Sequence, residues 1–207
     1  MHLFRRLPLL LIVSATAFST STPARTPSRA PDQHARLQVS LFNDAHINAA
    51  TLAEAQSRAS FLFSQAGIEI DWLVCRAADP SDFSPSTSPC SALAWPAHLS
   101  VRIRPHALSV SPETFGQAFV DSAGQGLYSN VYYQNLALSS NHPQLSDGDL
   151  LGFVIAHELG HLLLGTNSHS PAGLMQARWD ASALLAASRS ALFFTPAQSA
   201  TLRARLP

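Results

Sequence analysis

The stretch 150–164 constrains this chain more than any other part of it. It is apolar throughout except for His157, Glu158 and His161. With Ser146 or Asp147 as N-cap and Gly165 as a stop, it reads as a buried helix beginning near Gly148. Burying a carboxylate and two imidazoles without partners costs several kcal/mol, so the fold must supply something for them to bind. Residues i and i+4 lie one turn apart on the same helix face, so both imidazoles can point at one metal ion. Zinc–nitrogen bonds of about 2.0–2.1 Å suit that arrangement. Glu158 lies about 100° around the helix from His157, where its carboxylate reaches a water at the metal rather than the metal itself. Zinc lowers the pKa of such a water to about 7. Glu158 is then placed to take its proton as general base and to deliver one to a leaving amine. The chain has 9 histidines and four glutamates. Chance would produce this pattern in about 1% of shuffled chains, so composition does not explain it.

A metal of this kind needs a third protein ligand, with the fourth position left for water. No glutamate follows Glu158, which excludes a distant Glu as that ligand. His169, Asn167 and Asp180 remain. His169 is the best donor of the three, because an Asn amide binds zinc poorly. Four residues beyond Gly165 are enough chain to bring it back to the metal. Asn167 is then expected to serve the turn.

Composition narrows the rest. At 207 residues and 46% hydrophobic, the chain suits one domain with a sizeable core. Its formal charge is zero, with no basic block after the N-terminal residues, so nucleic acid is not an expected partner. All 13 basic residues are arginines, which excludes chemistry that needs a phosphate-loop or Schiff-base lysine. Arg5 and Arg6, an apolar run over 7–13, and small residues at Ala15 and Ala17 read as an export signal (1–17), cut after Ala17 or Ala24. The run is too short to span a bilayer and no cysteine follows it, so no stable membrane anchor is expected. Residues 18–35, rich in Ser, Thr, Pro and Arg, read as a flexible leader to a domain over 36–207. In a secreted or periplasmic setting Cys75 and Cys90 are expected to pair, closing a Pro- and Ser-rich loop. Their spacing matches no common zinc-binding cysteine pair.

Periodicity predicts strands over 37–42, 68–74, 99–103, 115–120 and 127–134, an early helix over 50–65 stopped at Gly67, and helices over 181–193 and from Thr195. Thr195, Pro196 and Gln198 have capping-box chemistry. His34, His46, His98, His106 and His142 show no ligand spacing and are expected on the surface.

Taken together, His157-Glu158-x-x-His161, a helix-ending Gly165, His169 and the segment His169-Ser170-Pro171-Ala172-Gly173-Leu174-Met175 resemble the metzincin clan of zinc endopeptidases. The order of elements upstream is similar as well. The resemblance spans about 36–180, with the specific motif confined to 157–175. Two gaps differ: Gly165 and His169 each follow the preceding motif residue by four positions, where the clan has three. The resemblance implies an α+β fold with a mixed, mostly parallel twisted sheet, an early helix, an active-site helix and a helical C-terminal part. It implies Zn2+ as cofactor, a peptide or protein substrate, and Met175 as a buried base beneath the zinc in a Met-turn. The segment 115–120 would be the edge strand for the peptide, and Arg178 and Trp179 would wall the pocket for the residue after the scissile bond. A monomeric secreted zinc endopeptidase is the resulting expectation. The alternatives are a zinc-binding module without protease activity or a cell-wall peptide amidase.

Overall fold

The computed structural model describes residues 34–76, 88–106, 111, 114–139 and 145–207. The expected signal segment, nearly all of the leader, most of the Cys75–Cys90 loop and His142 lie outside them. Strand β1 (Ala35–Asn43) begins one residue before the expected domain start. Helix α1 (Ala49–Gln65) follows, capped by Asn48 accepting from the Thr51 N–H and ended at Gly67, whose φ of 77° suits glycine. Next come β2 (Ile68–Cys75), β3 (His98–Arg104), β4 (Gly116–Phe119) and β5 (Tyr128–Tyr132). The five strands form one sheet in the order β2-β1-β3-β5-β4. All pairs are parallel except β4 with β5.

One sheet face carries Leu37, Val39, Leu41, Leu99, Val101, Ile103 and Val131, all fully buried in the core. Helix α1 and helix α3 (Asp147–Leu164) pack on each other and against the sheet, α1 on β2 and α3 on β3, β4 and β5. Helix α3 is buried along almost its whole length. Ser146 caps it by accepting from the Asp149 N–H, and Gly165 ends it in the left-handed region at φ 68°. Arg205 and Trp95 donate to the carbonyls of Leu164 and Leu162 at its C-terminus. An arginine there complements the negative end of the helix dipole.

Glycines let the two helices cross closely. A Cβ on Gly148 would stand 2.7 Å from the Glu54 Cβ, and one on Gly152 would stand 2.6 Å from the Ala55 carbonyl oxygen. Beside them Arg58 pairs with Asp149 at 2.7 Å, donates to Ser190 Oγ at 2.8 Å and lies over the Phe153 ring. On an open helix Gly→Ala stabilises by about 1 kcal/mol. Here overpacking costs about 1–3 kcal/mol, and a backbone oxygen cannot swing aside. Gly152→Ala is therefore expected to lower stability in thermal or denaturant unfolding. A raised melting temperature would mean that the helices do not approach this closely.

On the opposite face of the sheet, the segment containing a 3-10 turn at Pro89–Ser91 lies against Ser40 and His98. Cys90 in that turn is joined to Cys75 at the end of β2, with Cα atoms 6.0 Å apart. Ser40 Oγ donates to the Cys90 carbonyl at 3.1 Å. His98, expected on the surface, is buried beneath this segment: its Nε2 lies 2.8 Å from Ser40 Oγ and its Nδ1 2.9 Å from the Ala92 oxygen. Alternation along β3 turns His98 and Ser100 away from the main core, and the disulfide-tethered segment closes over them. His34, His46 and His106 are exposed.

Two other elements depart from expectation. β5 stops at Tyr132 and the chain turns into α2 (Tyr133–Ser139), because its partner β3 has ended at Arg104 before Pro105. A strand cannot continue without a neighbour to satisfy its backbone. Helix α4 (Ala181–Ser188) ends well before Phe193. Ser190 turns the chain at φ 53°, and the Phe193 carbonyl accepts from the Leu174 N–H while Leu192 and Phe194 are buried. Helix α5 (Pro196–Arg205) has the full capping box of Thr195 and Gln198. Among the described residues no helix is long and apolar enough to cross a membrane.

Candidate metal centre

His157 and His161 lie one turn apart on α3, and both are buried. Each uses Nδ1 to donate to a backbone carbonyl, His157 to Leu174 at 2.9 Å and His161 to Thr166 at 2.8 Å. A carbonyl can only accept, so Nδ1 carries the proton and Nε2 keeps its lone pair on both rings, where it could bind a metal. The two Nε2 atoms face each other at 3.0 Å. Burial pulls the His157 pKa down to about 4, against the hydrogen bond to Leu174 that raises it, and the neighbouring His161 and His169 lower it further. Burial likewise lowers that of His161. With both rings neutral, two nitrogen lone pairs oppose each other, an arrangement that a cation between them relieves.

The chain after α3 brings in the third ring. Gly165 reverses direction, the Thr166 carbonyl accepts from His161, and Thr166 Oγ1 accepts from the Ser168 N–H. His169 then stands with its ring centroid 5.4 Å from that of His157 and 4.9 Å from that of His161. Ligand nitrogens of all three lie within 4.8 Å of one another. The turn work expected of Asn167 falls to Thr166, and Asn167 is exposed. Asp180 is not near: it is the exposed N-cap of α4, its carboxylate accepting from the Ala183 N–H and the Ser182 hydroxyl, each at 2.8 Å. Three imidazoles form a donor set that suits zinc.

Met175 is buried with its sulfur against Gly160, where a Cβ would stand only 2.7 Å from Sδ. It thus supports α3 between the two histidine turns. The Ser170 N–H donates to the Met175 carbonyl at 2.8 Å, closing the loop that carries His169. Trp179 donates through Nε1 to the Leu174 carbonyl and packs edge-on to Phe153 and His157, so it braces the site as well as lining the cleft.

Glu158 is buried on the side of α3 that faces β4. Burial pushes its pKa up to about 8, partly offset by a hydrogen bond that it accepts from the Ala118 N–H. The strand pairing explains that donor. The Tyr132 N–H donates to the Phe115 carbonyl directly opposite it at 2.8 Å. Antiparallel pairs alternate between bonded and non-bonded, so in the register Gly116↔Val131 and Ala118↔Ser129 the backbone groups of Gly116 and Ala118 point away from β5, to the free edge. Beside Glu158 and His169 opens a cavity of about 660 Å³, walled by Phe115, Leu150, Val154, Trp179 and Leu184, with Arg178 and Gln176 at its border. Its size suits a side chain or a short peptide segment.

Ala118, Leu174 and Thr166 act here through backbone groups, which every residue has, so the sequence carried no signal for them. No known protein family and no curated protein matches this sequence. Among solved structures, archaemetzincin from Methanopyrus kandleri superposes with a TM-score of 0.55 at 19% identity, covering 82% of this chain and 95% of that one. A zinc-dependent peptidase from Methanocorpusculum labreanum gives 0.49 at 15% identity, over 79% of this chain and 99% of that one. Archaemetzincin from Archaeoglobus fulgidus gives 0.49 at 13% identity, over 80% and 99%. The first of these, together with the mixed five-stranded sheet and its two crossing helices, shows that this chain shares the fold of that archaemetzincin.

Proposed function

We propose that this chain is a zinc-dependent endopeptidase, with His157, His161 and His169 holding the metal and Glu158 as general base. The observation that carries the reading is the convergence of three imidazoles, two of them oriented by backbone carbonyls, beside a buried carboxylate in an open cleft. Zinc, when bound, supplies Lewis acidity that polarises a peptide carbonyl and acidifies water. Glu158 takes a proton from the attacking water on its carboxylate and passes one to the amine nitrogen that leaves. The outward backbone groups of β4 other than the Ala118 N–H offer pairing to an extended peptide, and the apolar walls beside Glu158 receive one of its side chains. Arg178 and Trp179 border that pocket, and Met175 supports the histidine helix from below. The Cys75–Cys90 bridge, with residues 1–17 read as an export signal, fits a protein working outside the cytoplasm.

The purified domain is expected to hold one zinc per chain and to cleave an unfolded protein such as reduced casein. Treatment with a chelator should stop cleavage, and added zinc should restore it. Zinc without cleavage of any protein or cell-wall peptide would leave only a binding module. Release of peptidoglycan fragments without casein cleavage would make it an amidase.

A further inference from the structure

β4 carries a glycine at the point where it passes the carboxylate of Glu158. Gly116 is not one of the glycines with positive φ, which are Gly67, Gly124, Gly165 and Gly173 among the described residues. Backbone conformation therefore does not call for it, and space does. A Cβ on Gly116 would stand 2.6 Å from Glu158 Cγ and 2.7 Å from Cδ, and would also meet Oε1. Contacts below about 3 Å between such carbons fall well inside their van der Waals separation of roughly 3.5–4.0 Å. Neither backbone can retreat. Gly116 lies in a strand paired to β5 on both sides of it, and Glu158 stands in the middle of a buried helix. Two residues along the same strand edge, the Ala118 N–H donates to the same carboxylate.

We propose that Gly116 is a positioning residue for Glu158: its missing side chain forms the seat in which the carboxylate rests, and the Ala118 N–H fixes the carboxylate there. This rests on the role of Glu158 as general base given above. Any side chain at 116 turns Glu158 out of the seat and away from the water it must deprotonate. Displacing a reacting group by about 1 Å can cost about 100-fold in rate.

The test compares Gly116→Ala in two backgrounds, wild type and Glu158→Ala. In the wild-type background Gly116→Ala is expected to keep its zinc, to lose about 100-fold in kcat, and to melt several degrees lower. In the Glu158→Ala background, where the opposing side chain is gone, the same substitution is expected to leave the melting temperature unchanged. An unaltered kcat, or an equal loss of melting temperature in both backgrounds, overturns the proposal. If Gly116→Ala alone does not fold, a folded double variant still supports the seat, and a double variant that also fails to fold overturns it. The thermal comparison needs neither zinc nor substrate. A wild-type protein that cleaves nothing would thus sink the peptidase reading while the seat is still judged.

Discussion

Glu158→Gln is expected to lower kcat by about 10²- to 10⁴-fold, the contribution of a placed general base, while the protein keeps one zinc per chain. Glutamine has nearly the shape of glutamate, so it fills the same space against β4, and its carbonyl oxygen can still accept from the Ala118 N–H. The two helix histidines do not depend on it: His157 and His161 are oriented by Leu174 and Thr166. Metal analysis and peptide cleavage on the same preparation check both halves. Loss of zinc together with activity would make Glu158 a structural partner of the metal site and remove its assignment as base. Full activity would move the base elsewhere.

The second large effect concerns the third ligand. His169→Ala is expected to weaken zinc binding by at least about 100-fold, since even outer partners of metal ligands are worth about 10–100-fold. Its ring is exposed and held to the other two by the loop from Gly165 to Met175. Removing it therefore leaves the core intact, and the apo-protein should melt as wild type does. Asp180→Ala and Asn167→Ala are expected to keep zinc at wild-type affinity, because Asp180 caps α4 and Asn167 projects to solvent. Competition with a chromophoric chelator measures all three. Wild-type affinity in the His169 variant with loss in the Asp180 variant would transfer the site to the aspartate.

Much of the local structure could be read from the residues. The caps Ser146 and Thr195, the stop at Gly165, and the period of 3.6 in α1 depend on contacts within one or two turns. The pairing of His157 with His161 follows from helix geometry alone. The Cys75–Cys90 bridge followed from there being only two cysteines. Local signals failed where a distant partner decided. Tyr132 ends β5 because β3 stops beside it, and Leu192 and Phe194 leave α4 because they have a core to enter across from Leu174.

The helix, its two histidines one turn apart and the carboxylate between them were legible in residue order, because those relations lie within one turn of a single element. What surrounds them came from packing between distant elements. His98 was drawn into a covered face by a disulfide-tethered segment, and Met175 was set against Gly160. His169 arrived beside its partners along a turn one residue wider than the pattern it resembles. Glu158 came to rest on a strand about 40 residues earlier in the chain, at Gly116 and Ala118. Each of these is a meeting between elements far apart in sequence, fixed by strand register and helix crossing, and residue order carries no direct record of such distances.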